Sequence, residues 1–212
     1  MPVSEKKLRS NPAWIKRHLT DPFVKKSVQE GYRARSVYKL MEIDDKDKII
    51  KPGMSVVDLG AAPGSWTQIV KERLTDKDGK IDGKVIAMDI LPMEPIEGVH
   101  FLQGDFREQE VADKLTDLLE GEKVDVVLSD MARTCRCCRA DARCLLLNEL
   151  ALDFAKENLK KNGSFVCKVF QGSGYSQYVE ACKKTFRKVS VRKPEASRSS
   201  SAEVYIVARD LK

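Results

Sequence analysis

One segment constrains the fold of this chain more than any other, and it reads Val56-Val57-Asp58-Leu59-Gly60-Ala61-Ala62-Pro63-Gly64-Ser65-Trp66. An apolar strand, a glycine turn and a helix start are how a doubly wound α/β sheet presents its first nucleotide-binding loop. Glycine lets the backbone approach a ligand closely, and the first helical turn leaves N–H groups free. The spacing Gly60-x-x-x-Gly64 is not the G-x-G-x-x-G of dinucleotide sites, so it favours a smaller nucleoside ligand. Asp58 is placed to pair a cationic group of that ligand.

Apolar runs and helical patterns alternate along the rest of the chain. Strands are predicted at Ser55–Leu59, Val85–Asp89, His100–Gly104, Val124–Ser129, Ser164–Phe170, Lys188–Arg192 and Val204–Arg209. Helices are predicted at Ser65–Leu74, Gln109–Leu119, Leu145–Leu159 and Tyr175–Phe186, and Asn162-Gly163 indicates a helix stop directly before the fifth strand. This alternation predicts an α/β fold with a mainly parallel seven-stranded sheet and helices on both faces. The linker 193–202 has no room for a crossover helix, so the last strand is expected to be antiparallel.

The length and composition indicate one domain with a short appendage. The chain has 212 residues, 42% of them apolar, which is enough for a core. The part before Lys51 is predicted to be the appendage, with a helix near Ala34–Ile43. No apolar run approaches the length of a membrane span and no signal peptide is visible, so we expect a soluble, cytoplasmic protein. The uneven distribution of the six cysteines favours a reducing compartment.

Positive charge is concentrated at the N-terminus. Residues 1–39 hold ten Lys/Arg and three acidic residues, a net charge of +7 against +6 for the whole chain. A second basic run consists of Lys183, Lys184, Arg187, Lys188, Arg192, Lys193 and Arg198. Basic segments beside a near-neutral body are typical of a protein that binds a polyanion. A solvated, solubilising tail is the simpler alternative for the N-terminal segment.

Acidic residues recur at the predicted strand ends. Asp58, Asp89, Asp105 and Asp130 follow or close the first four strands. Because ligands of open α/β sheets bind at the carboxyl ends of the strands, these acids are expected to line one crevice. The acid after the second strand, Asp89, is placed to hold ribose hydroxyls. Helix capping or a solvated turn is the alternative for any one of them.

Lys168 is the second unusual residue, because it interrupts the apolar strand Phe165-Val166-Cys167-Lys168-Val169-Phe170. Lysine is seldom buried without a reason, although an edge position or a side chain that extends to solvent (a snorkelling lysine) is the alternative. A role as general base requires the amine to lose its proton. Desolvation and a nearby cation such as Lys39 would favour that loss, and a close carboxylate would oppose it.

The chain resembles the FtsJ/RrmJ family of ribosomal RNA 2′-O-ribose methyltransferases, the methyltransferase E group of the large ribosomal subunit. The resemblance covers nearly the whole chain in the same order. It rests on Arg35-Ser36-Val37-Tyr38-Lys39-Leu40, Lys51-Pro52-Gly53-Met54, Asp58 to Trp66, Gly104-Asp105-Phe106, Leu128-Ser129-Asp130-Met131-Ala132, Gly163 to Gly172, Val191-Arg192-Lys193-Pro194 and Glu203-Val204-Tyr205.

The resemblance implies a Rossmann-like class I methyltransferase that uses S-adenosylmethionine and needs no metal. Its catalytic tetrad would be Lys39, Asp130, Lys168 and Glu203, and its cofactor contacts would be Gly64, Trp66, Asp89, Asp105 and Asp130. The implied substrate is a uridine ribose in the A-loop of 23S ribosomal RNA within the large subunit. Residues 1–33 would contact RNA, and 34–212 would form a single methyltransferase domain, expected to be a monomer.

The segment 133–146 departs from the family pattern. It is rich in arginine and cysteine, whereas the family has Pro-Asn and a polar loop of small residues there. Our hypothesis is a compensated frameshift or a sequencing error, because the flanking motifs are intact. A zinc site at Cys135, Cys137, Cys138 and Cys144 is the alternative, although the spacing does not match two C-x-x-C knuckles. A genuine loop of this composition would indicate an inactivated family member.

Three other functions compete with this interpretation. A nicotinamide-dependent dehydrogenase would need G-x-G-x-x-G, which is absent from the glycine turn. A non-catalytic RNA-binding module would explain the basic runs but not Lys168. A 2′-O-methyltransferase of tRNA or of an mRNA cap shares the tetrad and is the nearest alternative.

Overall fold

The structure is a computed structural model that describes residues 19–131 and 142–212. Its helices are α1 (Pro22–Gln29), α2 (Val37–Asp47), α3 (Ser65–Leu74), α4 (Gln109–Leu118), α5 (Ala142–Asn158) and α6 (Tyr175–Thr185). Its strands are β1 (Met54–Leu59), β2 (Gly83–Asp89), β3 (His100–Gln103), β4 (Val124–Ser129), β5 (Leu159–Phe170), β6 (Phe186–Arg192) and β7 (Glu203–Leu211). The seven predicted strands are all present, and α3 and β4 have the predicted bounds.

The strands form one sheet in the order β3-β2-β1-β4-β5-β7-β6. Neighbouring strands from β3 to β5 are parallel, and β7 is antiparallel to both β5 and β6. The prediction of a mainly parallel sheet with a reversed last strand is therefore confirmed. The strand order reverses between β1 and β4, and ligands of open α/β sheets bind at such a point.

The predicted helix stop at Asn162-Gly163 is wrong. Helix α5 ends at Asn158, and β5 begins at the next residue, Leu159. The pairing of β5 with β4 shifts register between Val124 and Val126. A Cβ on Gly163 would lie 2.9 Å from the Lys160 carbonyl oxygen, so this glycine serves an irregular stretch of strand. A glycine in a strand often marks such an irregularity, and sequence alone does not separate it from a helix end.

The sheet is covered on both faces. Helices α4, α5 and α6 pack on one face, where the core includes Leu115, Phe154, Phe165 and Phe186. Helices α2 and α3 pack on the other face with a second core. No helix in the part of the chain that the structure describes is long and apolar enough to cross a membrane.

The predicted appendage is part of this second core. Val37 and Leu40 of α2 are fully buried, and Ile49 and Ile50 after the helix are nearly so. Fully burying one such side chain contributes about 1.5–3 kcal/mol. The helix spans Val37–Asp47 rather than 34–43. Residues before Lys51 are therefore needed to complete the domain, and they bring Lys39 to the sheet.

Candidate active site

Strand alternation brings the predicted site residues to one face of the sheet. Successive side chains of a strand point to opposite faces, so residues two apart share a face. On the face covered by α2 and α3, four strands carry a buried core residue and, two positions nearer the carboxyl edge of the parallel strands, an ionisable one. The pairs are Val56 and Asp58, Leu128 and Asp130, Val166 and Lys168, and, on the reversed β7, Tyr205 and Glu203.

Lys168 and Asp130 form the first ion pair of the site. The ammonium of Lys168 lies 2.8 Å from Asp130 Oδ1 and donates a 2.7 Å hydrogen bond to the Asp130 carbonyl oxygen. Only 10% of the Lys168 side chain is exposed, on an interior strand, so the edge-strand alternative is wrong. Among the described residues, the charged group that pairs with Lys168 is therefore the carboxylate of Asp130.

Lys39 and Glu203 form the second ion pair. Their charged atoms are 2.5 Å apart, and each side chain is 13% exposed. Burial alone would raise the pKa of Glu203, but the charge and hydrogen bond of Lys39, together with smaller contributions from its other neighbours, hold that pKa below its ordinary value. The charge of Lys168 acts in the same direction, which brings the two pairs into one electrostatic cluster. The structure therefore brings the four predicted tetrad residues together.

Tyr205 connects the two ion pairs, and the sequence did not single it out for the site. Its phenol donates a long hydrogen bond of 3.4 Å to Asp130 Oδ1, and the ammonium of Lys39 lies 5.8 Å from the centre of its ring. Burial, with the charges of Asp130 and Glu203, raises the pKa of Tyr205 far above its usual value. The phenol is therefore a neutral donor. The sequence did contain one signal for Tyr205: it lies two residues after Glu203 and therefore on the same face of the strand.

Asp58 differs from the other strand-end acids. It is fully buried within β1 instead of lining the crevice, and Thr67 donates a 2.7 Å hydrogen bond to its Oδ2. Its Oδ1 has no hydrogen-bond partner among residues 19–131 and 142–212. Burial raises the pKa of Asp58 to about 7, opposed by the Thr67 hydrogen bond and assisted by the charges of Asp130 and Asp89.

The glycine turn lies beside these acids. The Asp130 amide donates to the Leu59 carbonyl at 3.1 Å, which places Asp130 directly beside the end of β1. Gly60 has a φ of +79°, and a Cβ there would lie 2.8 Å from the Met131 amide nitrogen. Gly64, with a φ of +105°, is the N-cap of α3, and the Gln68 amide is the first to bond back to its carbonyl. The earlier amides of α3 are those that a helix N-terminus leaves for a ligand.

Among the predicted cofactor residues, Trp66 has a buried side chain, whereas Asp89 has a carboxylate that can still accept hydrogen bonds. Trp66 is 2% exposed, packs on Tyr205 and donates its indole N–H to the Ser36 carbonyl at 2.9 Å. The indole of Trp66 is therefore directed into the core and not towards a ligand. Asp89 accepts the Ala62 amide at 2.9 Å on one oxygen and the Leu91 amide at 2.8 Å on the other. A carboxylate has about four lone-pair positions, so Asp89 retains acceptor capacity.

Asp105 follows β3 and is held by the next arginine. The Arg107 guanidinium contacts both carboxylate oxygens, with the shortest distance 2.5 Å between Nη2 and Oδ2. The Gly104 amide donates to the Asp89 carbonyl oxygen at 2.9 Å, so Asp105 and Asp89 lie on adjoining loops. The structure thus brings Asp89 and Asp105 to the crevice side of the sheet.

The second basic run is not one continuous surface. Arg192 is committed to a two-pronged ion pair with Asp47, and Arg198 pairs with Asp21. Lys193 donates to the carbonyls of Ser201 and Glu203. These cations stabilise the protein itself. The exposed residues Lys183, Lys184, Arg187 and Lys188 lie at the opposite edge of the sheet, where β6 begins.

One cavity lies away from this cluster. A shallow cavity beside α3 is lined by Arg33, Gln68, Lys71, Glu72, Thr75, Pro95 and Ile96, and includes none of the predicted site residues. Most of the segment 133–146, with the hypothesis of a frameshift and three of the four cysteines of the zinc alternative, lies outside the described residues. Cys144, Cys167 and Cys182, which are described, are free thiols.

The sheet order, the single reversed strand and the polar cluster above β1 and β4 define a Rossmann-like methyltransferase. The FtsJ-like methyltransferase family model matches residues 32–211, and the chain belongs to this family. It is 52% identical to the Ribosomal RNA large subunit methyltransferase E of Burkholderia lata, over 97% of this chain and 98% of that protein. The Bordetella pertussis protein of the same name is 51% identical, over 94% and 96%.

A solved structure agrees with these relatives. A Plasmodium falciparum protein described as a ribosomal RNA methyltransferase superposes with a TM-score of 0.71 at 30% identity, covering 85% of this chain and 98% of that one. The resemblance inferred from sequence motifs is therefore confirmed.

Proposed function

We propose that this protein transfers a methyl group from S-adenosylmethionine to a ribose 2′-hydroxyl of ribosomal RNA in the large ribosomal subunit. Membership of the FtsJ-like family and the names of the relatives support this class of reaction. The observation that carries the proposal is the Lys168–Asp130 pair beside the glycine turn. It combines a nearly buried amine with the loop that is expected to hold the methyl donor.

The residues around the turn fit this cofactor. Gly64 and the backbone of Trp66 offer a close approach and helix N-terminal amides, Asp89 offers acceptors for ribose hydroxyls, and Asp105 lies on the adjoining loop for the base. Asp130 brings a carboxylate suited to the positively charged end. When bound, S-adenosylmethionine supplies a sulfonium methyl group that is already activated for displacement.

The chain's own task is then to align the hydroxyl and remove its proton. Lys168 is the proposed general base: once its ammonium has released a proton to solvent, the amine, which is held at the carboxylate and the carbonyl of Asp130, would accept the proton of the 2′-hydroxyl. Sharing Asp130 with a positive sulfonium would weaken the hold of that carboxylate on the lysine proton. Lys39 and Glu203 would orient the hydroxyl and set the local field. Alignment alone accounts for a large part of such a rate enhancement.

The finer identity of the substrate follows from the family resemblance. We propose a uridine ribose in the A-loop of 23S ribosomal RNA, approached with the help of the basic segment 1–33. The 2′-hydroxyl distinguishes RNA from DNA at the site. The assembled large subunit is the proposed substrate form.

The test is tritium transfer from labelled S-adenosylmethionine to large subunits that lack the modification. Wild type is compared with Lys168→Ala and with Lys161→Ala, an exposed lysine near the other end of the same strand. We expect Lys168→Ala to lose transfer while still binding S-adenosylhomocysteine, and Lys161→Ala to behave as wild type. Equal labelling by Lys168→Ala would refute the base assignment. Absence of labelling by wild type, on both subunits and free RNA, would refute the reaction.

A further inference from the structure

The Arg33 side chain joins two loops that are far apart in sequence. Its Nη1 donates to the Pro63 carbonyl at 3.0 Å and to the Glu94 carbonyl at 2.7 Å, and its Nη2 donates to the Pro95 carbonyl at 3.1 Å. Pro63 belongs to the glycine turn before α3, and Glu94 and Pro95 belong to the loop after β2. Within residues 19–131 and 142–212, no carboxylate forms an ion pair with Arg33.

The guanidinium lies directly against the turn. A Cβ on Gly64 would be 2.7 Å from Arg33 Nη1 and 2.8 Å from Met93 Sδ. The backbone N–H of Arg33 also donates to the Gln68 side chain of α3 at 2.9 Å. Both the main chain and the side chain of Arg33 are therefore fixed to the element that begins at the turn.

The chemistry of these contacts favours positioning over simple stabilisation. A planar guanidinium presents several donors at fixed angles, so it holds its acceptors in a defined relation, whereas an ammonium is a point charge. The three carbonyl contacts are accessible to solvent, so water can replace the donors when Arg33 is removed. Removing Arg33 should therefore loosen the relation of the two loops more than it destabilises the fold.

We propose that Arg33 is a positioning residue that holds the glycine turn against the loop after β2 in the conformation that binds the adenosyl cofactor. The charge pattern placed Arg33 in the segment predicted to contact RNA. Its donors are directed to the protein, at the turn that carries Gly64 and at the loop that follows Asp89. The inference rests on the proposed use of S-adenosylmethionine at this site.

The experiment measures S-adenosylhomocysteine binding by calorimetry and thermal unfolding of the free protein for wild type, Arg33→Ala, Arg33→Lys and Arg73→Ala. Arg73 is the matched control, since it lies on α3 and pairs with Asp44 and Asp45 but touches neither loop. We expect Arg33→Ala to bind about tenfold more weakly with nearly unchanged Tm, and Arg33→Lys to lie between it and wild type. Arg73→Ala should show the reverse, with a lower Tm and wild-type affinity.

Wild-type affinity in Arg33→Ala would overturn the inference, as would equal weakening in Arg73→Ala, which would indicate general loosening. If Arg33→Ala does not fold, Arg33→Lys decides, and full affinity in that variant counts against the inference. If wild type does not bind S-adenosylhomocysteine, the proposed use of S-adenosylmethionine is refuted instead. A further readout is the salt dependence of binding to large subunits. Its slope should be unchanged in Arg33→Ala, whereas loss of a phosphate contact would lower it by about 0.7–0.9.

Discussion

The phenol of Tyr205 lies 3.4 Å from Asp130 Oδ1, and this contact connects the two ion pairs of the site. Tyr205 is fully buried, and its ring packs on Trp66 with centroids 5.7 Å apart. The same ring lies beneath the ammonium of Lys39. The ring of Tyr205 therefore packs against the Lys39–Glu203 pair, and its hydroxyl donates a hydrogen bond to the Lys168–Asp130 pair.

Tyr205→Phe separates these two contributions, because it removes the hydroxyl and keeps the ring. A typical hydrogen bond contributes about 0.5–1.5 kcal/mol, and one of 3.4 Å is longer than is usual for a hydroxyl donor, so its contribution is at the weak end. We expect methyl transfer to fall at most about tenfold, with cofactor affinity unchanged. Tyr178→Phe is the control, since that buried tyrosine bonds Asn148 on the opposite face of the sheet. Complete loss of transfer in Tyr205→Phe would show that the phenol takes a direct part in the chemistry.

The Lys39–Glu203 pair predicts non-additive stability. Each side chain is only 13% exposed, so removing one partner leaves a poorly solvated charge, at a cost of up to about 3–5 kcal/mol. Lys39→Met and Glu203→Gln should each lower the free energy of unfolding by urea. The double variant should be less destabilised than the two single changes added together, since no unpaired charge remains. Strict additivity would mean that the two charges do not stabilise each other.

Much of this site was predictable because the alternation of a strand is a simple rule. Asp130 and Lys168 sit one step beyond buried apolar residues on neighbouring strands, so their convergence follows once the sheet order is known. The position of Lys39 was less accessible from the residues alone. It depends on α2 packing into the core, and the sequence pattern placed that helix in an appendage.

Other features depend on distances that a sequence does not contain. The commitment of the Trp66 indole to Ser36 and the internal pairing of Arg192 with Asp47 are long-range contacts. A run of basic residues carries the same signal whether it faces solvent or a buried acid. Sequence therefore singled out ionisable residues that the fold brings close together, and the fold decided which of them are available to a partner.

Trp66→Phe tests how this residue serves the cofactor. The substitution keeps an aromatic ring but leaves the Ser36 carbonyl without its indole donor and leaves space in the core. We expect a loss of about 1–3 kcal/mol in the free energy of unfolding. Affinity for S-adenosylhomocysteine should stay within about threefold, because the backbone N–H is retained. Weak binding by a variant of unchanged stability would instead indicate a side-chain contact.

Asp58 predicts an unusual pH dependence of stability. Its pKa is raised to about 7 in the folded protein and is near 3.9 in an unfolded chain. Between these values the folded state binds more protons than the unfolded state, so the contribution of Asp58 falls as pH rises from about 4 to 7. Over that interval the loss approaches about 4 kcal/mol. Glu203, whose pKa is lowered, acts in the opposite direction and mainly below pH 4.5.

Asp58→Asn isolates this contribution. Asparagine retains an acceptor for the Thr67 hydroxyl but does not titrate. The free energy of unfolding of the variant should therefore fall much less than that of wild type as pH rises from 5 to 8. We expect it to be at least as stable as wild type at pH 8, measured by urea unfolding across that range. Asp44→Asn is the control, since that buried carboxylate accepts two backbone amides and pairs with Arg73. If Asp58→Asn is less stable than wild type at pH 8, the ionised carboxylate must be stabilised in the folded protein, and the unpartnered Oδ1 must then have a partner in solution.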